Sequence, residues 1–110
     1  MTRPPAALVV PAQRPTVATA PVVTPIGEPA VGITYDTTAE IWNGTPTITY
    51  AYQWYDCNST GTTCLAIAGA TGTSYVSTSS DLGSYLEVIV TATNSGGTGQ
   101  AASNLAPTSD

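Results

Sequence analysis

The sequence predicts an all-β protein, a sandwich or barrel of seven or eight short strands, and three observations predict it. Thr and Ser are abundant, Phe is absent, and 10 Gly and 9 Pro punctuate a chain of 110 residues. β-Branched residues suit a pleated surface, whereas Gly and Pro break helices. Residues 47–55 alternate, with Ile48, Tyr50, Tyr52 and Trp54 on one face and Thr49, Ala51, Gln53 and Tyr55 on the other, the period-two signal of a strand. Turn signals recur at residues 43–44, 69–72, 81–83 and 94–97, which is the rhythm of a sandwich or barrel.

Taken in order, residues 1–21 (MTRPPAALVVPAQRPTVATAP) show neither a helical nor a strand period. Proline fixes φ and removes amide donors, so this segment is expected to be an extended, polyproline-like arm. At ~3.1 Å per residue it would reach roughly 65 Å. Strands are expected at 22–26, 31–37, 39–42, 47–55, 65–68, 74–77, 85–93 and 99–103. In residues 85–93, Leu86, Val88, Val90 and Ala92 alternate with Glu87, Ile89 and Thr91. The division that follows is an arm at 1–21, a body at 22–104 and a tail at 105–110. Trp54 is expected in the core. Ile89 and Leu105 are expected to be exposed apolar positions, and 81–83 a tight turn into the strand that follows.

Charge is sparse and segregated. The net charge is −5, with no His and no Lys. The only bases, Arg3 and Arg14, lie in the arm, and all seven acids (Glu28, Asp36, Glu40, Asp56, Asp81, Glu87 and Asp110) lie beyond it. A chain this acidic does not neutralise phosphates, so nucleic acid is excluded as a partner. The absence of His removes the commonest general base and metal ligand, and no cofactor is expected. The acids are scattered one per strand or turn, without the paired carboxylates of glycoside hydrolysis. No stretch approaches the ~20 apolar residues of a membrane span, and no apolar h-region of a signal peptide precedes the prolines. Met1 is read either as a native start, with synthesis in a cytosol, or as the head of an excised fragment.

Cys57 and Cys64 bracket a Gly/Ser/Thr loop. The reading is a local disulfide, worth roughly 2.5 kcal/mol for a loop of about eight residues in the chain-entropy model. Zinc would need two more good ligands, and a redox role lacks the Cys-x-x-Cys spacing, so no metal is expected. A bridge in a chain made in a cytosol would close only after release to an oxidising medium. Asn43-Gly44-Thr45 and Asn58-Ser59-Thr60 match the glycosylation sequon but read as turn residues.

These residues together resemble the immunoglobulin-like repeats of actinobacterial surface proteins and of the virion proteins of their phages. The resemblance rests on Trp42-Asn43-Gly44-Thr45-Pro46, on Tyr52-Gln53-Trp54-Tyr55-Asp56-Cys57 with Cys64 after a polar loop, and on Ile67-Ala68-Gly69-Ala70-Thr71 followed by Tyr75. Asp81-Leu82-Gly83 and Val90-Thr91-Ala92-Thr93-Asn94 with the glycine pair behind complete it. It covers roughly residues 21–104 and implies an immunoglobulin-like sandwich of about seven strands, used for display, spacing or adhesion. It implies no catalytic centre. The Cys57/Cys64 spacing departs from the inter-sheet bridge of antibody domains, whose cysteines lie far apart in sequence.

The expected function is therefore non-enzymatic: a phage capsid decoration protein, located on the virion, that docks through its arm and displays the body. Its partner would be a major capsid protein or another virion protein, with self-association on the particle left open. Arg3, Pro4, Pro5, Leu8, Val9, Val10, Pro11 and Arg14 are the expected contact residues, the arginines meeting capsid carboxylates. The alternative is an extracellular spacer or adhesion module of an actinobacterial surface protein, with 1–21 as a linker. Tyr55 and Trp42 are the candidate surface contacts of the body, and a carbohydrate ligand bound there is a third reading.

Overall fold

The computed structural model describes residues 11–24, 32–38 and 40–107. Ten strands are present among them: β1 (Thr16–Thr19), β2 (Val22–Thr24), β3 (Thr34–Thr38), β4 (Ile41–Asn43), β5 (Thr49–Cys57), β6 (Cys64–Ala66), β7 (Ser74–Val76), β8 (Tyr85–Asn94), β9 (Gly97–Ala102) and β10 (Ala106–Pro107). A 3-10 turn, Ser79–Asp81, precedes β8. All strand pairs are antiparallel.

The longest pairing runs through the alternating segments. β5 lies against β8 in unbroken register from Thr49–Thr93 to Cys57–Tyr85. β6 extends this sheet beyond β5, and β9 and β10 share the far edge of β8. A second sheet has the order β2-β3-β7, and β1 pairs with β4 in a third, two-stranded ribbon. The two larger sheets supply one core. Val23 and Tyr35 come from the β2-β3-β7 sheet, and Trp54, Leu86 and Val88 from the β5-β8 sheet, with Ala70 and Ala106 packed among them. The architecture is thus all-β, with antiparallel sheets in an arrangement compatible with a β-sandwich.

Period two explains which residues fill that core. Leu86, Val88, Val90 and Ala92 are all fully buried on one face of β8, while Glu87, Ile89 and Thr91 on the other are half-buried. With no Phe in the chain, Trp54 supplies the volume. It is fully buried, its ring stacks on Tyr75 at 5.8 Å, and its Nε1 donates to the Gly72 carbonyl at 2.9 Å. A large aromatic with its polar atom satisfied is a strong core residue, and truncating one costs about 3–5 kcal/mol.

Three features differ from the sequence reading. Residues 16–19 form a strand inside the expected arm, with Val17 opposite Trp42. The strand is four residues long and lies between Pro15 and Pro21, both fully buried, so its prolines mark strand ends and not a polyproline run. Residues 106–107, expected in a tail, pair with β8, and Ala106 is buried in the core. Between β9 and β10 the edge is carried by Ser103, which exchanges two bonds with Val88: its amide donates to the Val88 carbonyl at 2.9 Å, and its Oγ accepts from the Val88 amide at 3.0 Å. Asn104 then bridges to the other sheet, accepting from the Val23 amide at 2.7 Å and donating to the Val23 carbonyl at 3.3 Å. Finally, Ile89 and Leu105 are half-buried; the prominently exposed apolar residues are Leu65 at 72%, Ile41 at 56% and Val76 at 52%.

Candidate functional site

The β6 end of the molecule gathers the chemistry. Asp56 follows Trp54 by two residues, so it shares the inward face of β5. The 3-10 turn brings Asp81 to meet it. The two carboxyl groups hydrogen-bond to each other through one shared proton, an interaction that raises Asp56 and lowers Asp81. Asp81 is 1% exposed. Its Oδ2 accepts from the Tyr75 hydroxyl at 2.6 Å, the Thr78 amide at 2.8 Å and the Thr78 hydroxyl at 3.3 Å, and the Ser84 amide donates to its carbonyl at 2.9 Å. One carboxylate therefore ties β7, the turn and β5 together. Gly83, with φ +82, then reverses the chain into β8, the tight turn expected from the sequence.

The electrostatics follow from burial and from the absence of any cation among the described groups that face this pair. Burial, then the hydrogen bond and the charge of Asp81, push the Asp56 carboxyl up to about 7. Burial alone would raise Asp81 as well, but the bonds it accepts from Asp56, Tyr75 and Thr78 outweigh it and hold the group below the ordinary carboxylate range. Burial and the same carboxylate raise the Tyr75 phenol to about 12. The buried Oδ1 of Asp56 has no hydrogen-bond partner. An open groove of about 840 Å³ lies over these groups, walled by Leu65, Ile67 and Ala68 on one side and by Thr78, Ser80 and Ser84 on the other. Sequence reasoning took the acids as scattered. Asp56 and Asp81 lie far apart in the chain, and only the packing of the turn on β5 pairs them.

On the outer face of the same sheet end, Cys57 and Cys64 are cross-strand partners of β5 and β6 and form a disulfide, as expected. The loop between them is wired by Asn58. Its Oδ1 accepts from the Thr62 amide at 2.9 Å, its Nδ2 donates to the Thr62 hydroxyl at 2.9 Å, and its own amide donates to the Thr63 carbonyl at 2.9 Å. Leu105 packs against Gly61 of this loop, which is why it is not free at the surface. Glu87, two residues along β8 from Tyr85, brings Oε1 to 3.9 Å from both sulfurs. Burial pushes this carboxyl above its ordinary value.

The expected contact residues fall elsewhere. Arg3, Pro4, Pro5, Leu8, Val9 and Val10 lie outside the described residues. Pro11 and Arg14 are exposed, at the opposite end of β5. There Asn94 Nδ2 donates to the Gln13 carbonyl at 2.6 Å and to the Thr45 carbonyl at 2.9 Å, while the Gln13 amide donates to Thr45 Oγ1 at 2.8 Å. Residues 12–15 run so close to the β8–β9 turn that a Cβ on Gly96 would sit 2.7 Å from the Ala12 carbonyl oxygen, and one on Gly99 would collide with that of Pro15. Trp42 is half-buried, packed over Gly99 and 6.4 Å from the Tyr50 ring, with no partner for its buried Nε1. Tyr55 is half-buried on the outer face between Ala66 and Glu87. The structure does not bring these two aromatics together: Trp42 flanks the N-terminal segment, and Tyr55 flanks the disulfide.

The chain matches no protein-family model, no curated protein and no solved structure.

Proposed function

We propose that this chain is a non-enzymatic structural module of a virion, a capsid decoration protein with an immunoglobulin-like body and a contact segment at its N-terminus. The observation that carries the reading is the anchoring of residues 12–15 on the body through Gln13, Thr45, Asn94 and the glycines of the β8–β9 turn. An anchored segment of this kind hands residues 1–10, with Arg3, to a neighbour from a fixed point. It also narrows the contact segment from the 21 residues read in the sequence. The separation of charge supports the same reading, since Arg3 and Arg14 are the only bases in a chain of net charge −5, and opposite charges steer encounter. At the acidic end Asp81 Oδ2 accepts from Tyr75 and from the amide and hydroxyl of Thr78, and a carboxylate committed to holding a turn favours a scaffold over a hydrolase.

The test is co-sedimentation with purified tailed-phage capsids, comparing the full chain with one lacking residues 2–10. Loss of at least about tenfold in affinity is expected, since several apolar side chains and a charged contact are removed together. Undiminished binding by the shortened chain would refute the docking mechanism. The disulfide also suits the second reading, an extracellular spacer module, for which neither chain would bind.

A further inference from the structure

The carboxylate of Glu87 faces two sulfurs that, in the disulfide, have no hydrogen to donate. Its Oε1 is 3.9 Å from Cys57 Sγ and 3.9 Å from Cys64 Sγ, and the three donor atoms lie within 4.8 Å of one another. In a tetrahedral zinc site with Zn–S near 2.3 Å and Zn–O near 2.1 Å, neighbouring donors are separated by roughly 3.6–3.8 Å. The oxygen stands about 0.3 Å beyond the sulfur–oxygen spacing of such a site, so opening of the S–S bond and a small closing movement of the Glu87 side chain bring the three onto one face of a tetrahedron. From these distances we infer that the reduced chain holds a thiophilic divalent cation of the zinc class between Cys57, Cys64 and Glu87, so that metal and disulfide are alternative staples of one loop.

The chemistry balances. A dithiol reductant gives two electrons and two protons to the disulfide; the S–S bond breaks, two thiols form, and the reductant leaves as its own disulfide. On metal binding the two thiol protons pass to solvent, and Glu87 enters as carboxylate. The fourth position falls to water or to the Gly61 carbonyl, whose oxygen is 3.6 Å from Cys64 Sγ. Two thiolates select zinc over magnesium or calcium, and the carboxylate supplies a harder third donor. Metal binding to a site absent from the unfolded chain stabilises the fold, so the loop would be held before an oxidising medium closes the bridge. A ligand count along the sequence misses this site, because Glu87 joins the cysteines only through the β5–β8 register.

Cobalt(II) is the probe. The full chain, reduced with a phosphine under argon and checked for its β-sheet circular dichroism, is titrated with Co²⁺. One equivalent is expected to bind, with a thiolate-to-cobalt charge-transfer band and visible bands of tetrahedral cobalt, while the oxidised chain gives neither. Glu87→Gln should weaken the affinity at least about tenfold, and Asp36→Asn, at an exposed position of β3, should not change it. A folded reduced chain without these bands overturns the inference, as does a Glu87→Gln chain that binds as tightly as the parent. If reduction unfolds the chain, recovery of the sheet signal on adding Co²⁺ supports the site, and no recovery overturns it.

Discussion

At one end of β5, beside Thr45 and Asn94, residues 12–15 lie against glycines and are held by main-chain and amide bonds. At the other end, past Trp54, the chain gathers Asp56, Asp81 and Tyr75 on the inner face and Cys57, Cys64 and Glu87 on the outer one. The first end depends on shape, and Arg14 is its one charged group among the described residues. The second depends on how many protons and electrons it holds. Solution conditions should therefore move one end and leave the other alone, whereas glycine substitutions should do the reverse.

The largest effect is expected at the acidic end. Asp81→Ala removes the acceptor of Tyr75, of the Thr78 amide and of the Thr78 hydroxyl and leaves buried donors unsatisfied, at a cost of about 3–4 kcal/mol in urea unfolding. Asp81→Asn keeps an acceptor for the turn and should lose about half of that. A cost below about 1 kcal/mol for Asp81→Ala would mean that packing of the turn, and not its carboxylate, holds this end. At the opposite end, Gly99→Ala places a methyl against the Pro15 carbonyl oxygen. Overpacking against backbone costs about 1–3 kcal/mol, and the N-terminal segment is the part free to yield. Limited proteolysis should then cut within residues 11–24 while protection of the β5–β8 amides is kept. Uniform loss of protection would show that the two ends are not separable units.

The elements that the sequence revealed are those whose residues alternate over many positions. β5 and β8 announce themselves by period two, and Trp54 and the alternating row on β8 are buried as that pattern requires. The turn at Asp81 and the Cys57–Cys64 bridge were legible because each is local. β1 and β10 were not, because four and two residues carry no period, and prolines at 15, 21 and 107 masked them. The paired carboxyls of Asp56 and Asp81, and the approach of Glu87 to the sulfurs, were illegible for a different reason. Strand parity assigns each residue to a face, but register decides which residues on that face meet, and the sequence does not contain the register.

The smallest expected effect is the most diagnostic, because it separates the two ends by pH alone. The Asp56 carboxyl stands at about 7 in the folded chain and near 4 when unfolded. Between those values the folded chain keeps a proton that the unfolded chain has lost, so stability falls as pH rises through that window and levels off above it. Glu87, also raised by burial, contributes in the same direction. Asp81 is lowered, so its contribution is present above the ordinary carboxylate range and is lost only in more acidic solution. A fully enclosed pair would give roughly 4 kcal/mol over three pH units. Asp56 is only half-buried, and solvent screening reduces that to about 1–2 kcal/mol. The urea midpoint should therefore be higher at pH 5 than at pH 8. Asp56→Asn, which presents an amide donor to Asp81 at every pH, should remove most of the difference, leaving the Glu87 share. Gly99→Ala should lower both midpoints equally, since nothing it disturbs titrates in this range. A parent chain more stable at pH 8 than at pH 5 would show that Asp56 does not hold the shared proton, and the acidic end would then have to be held by shape as well.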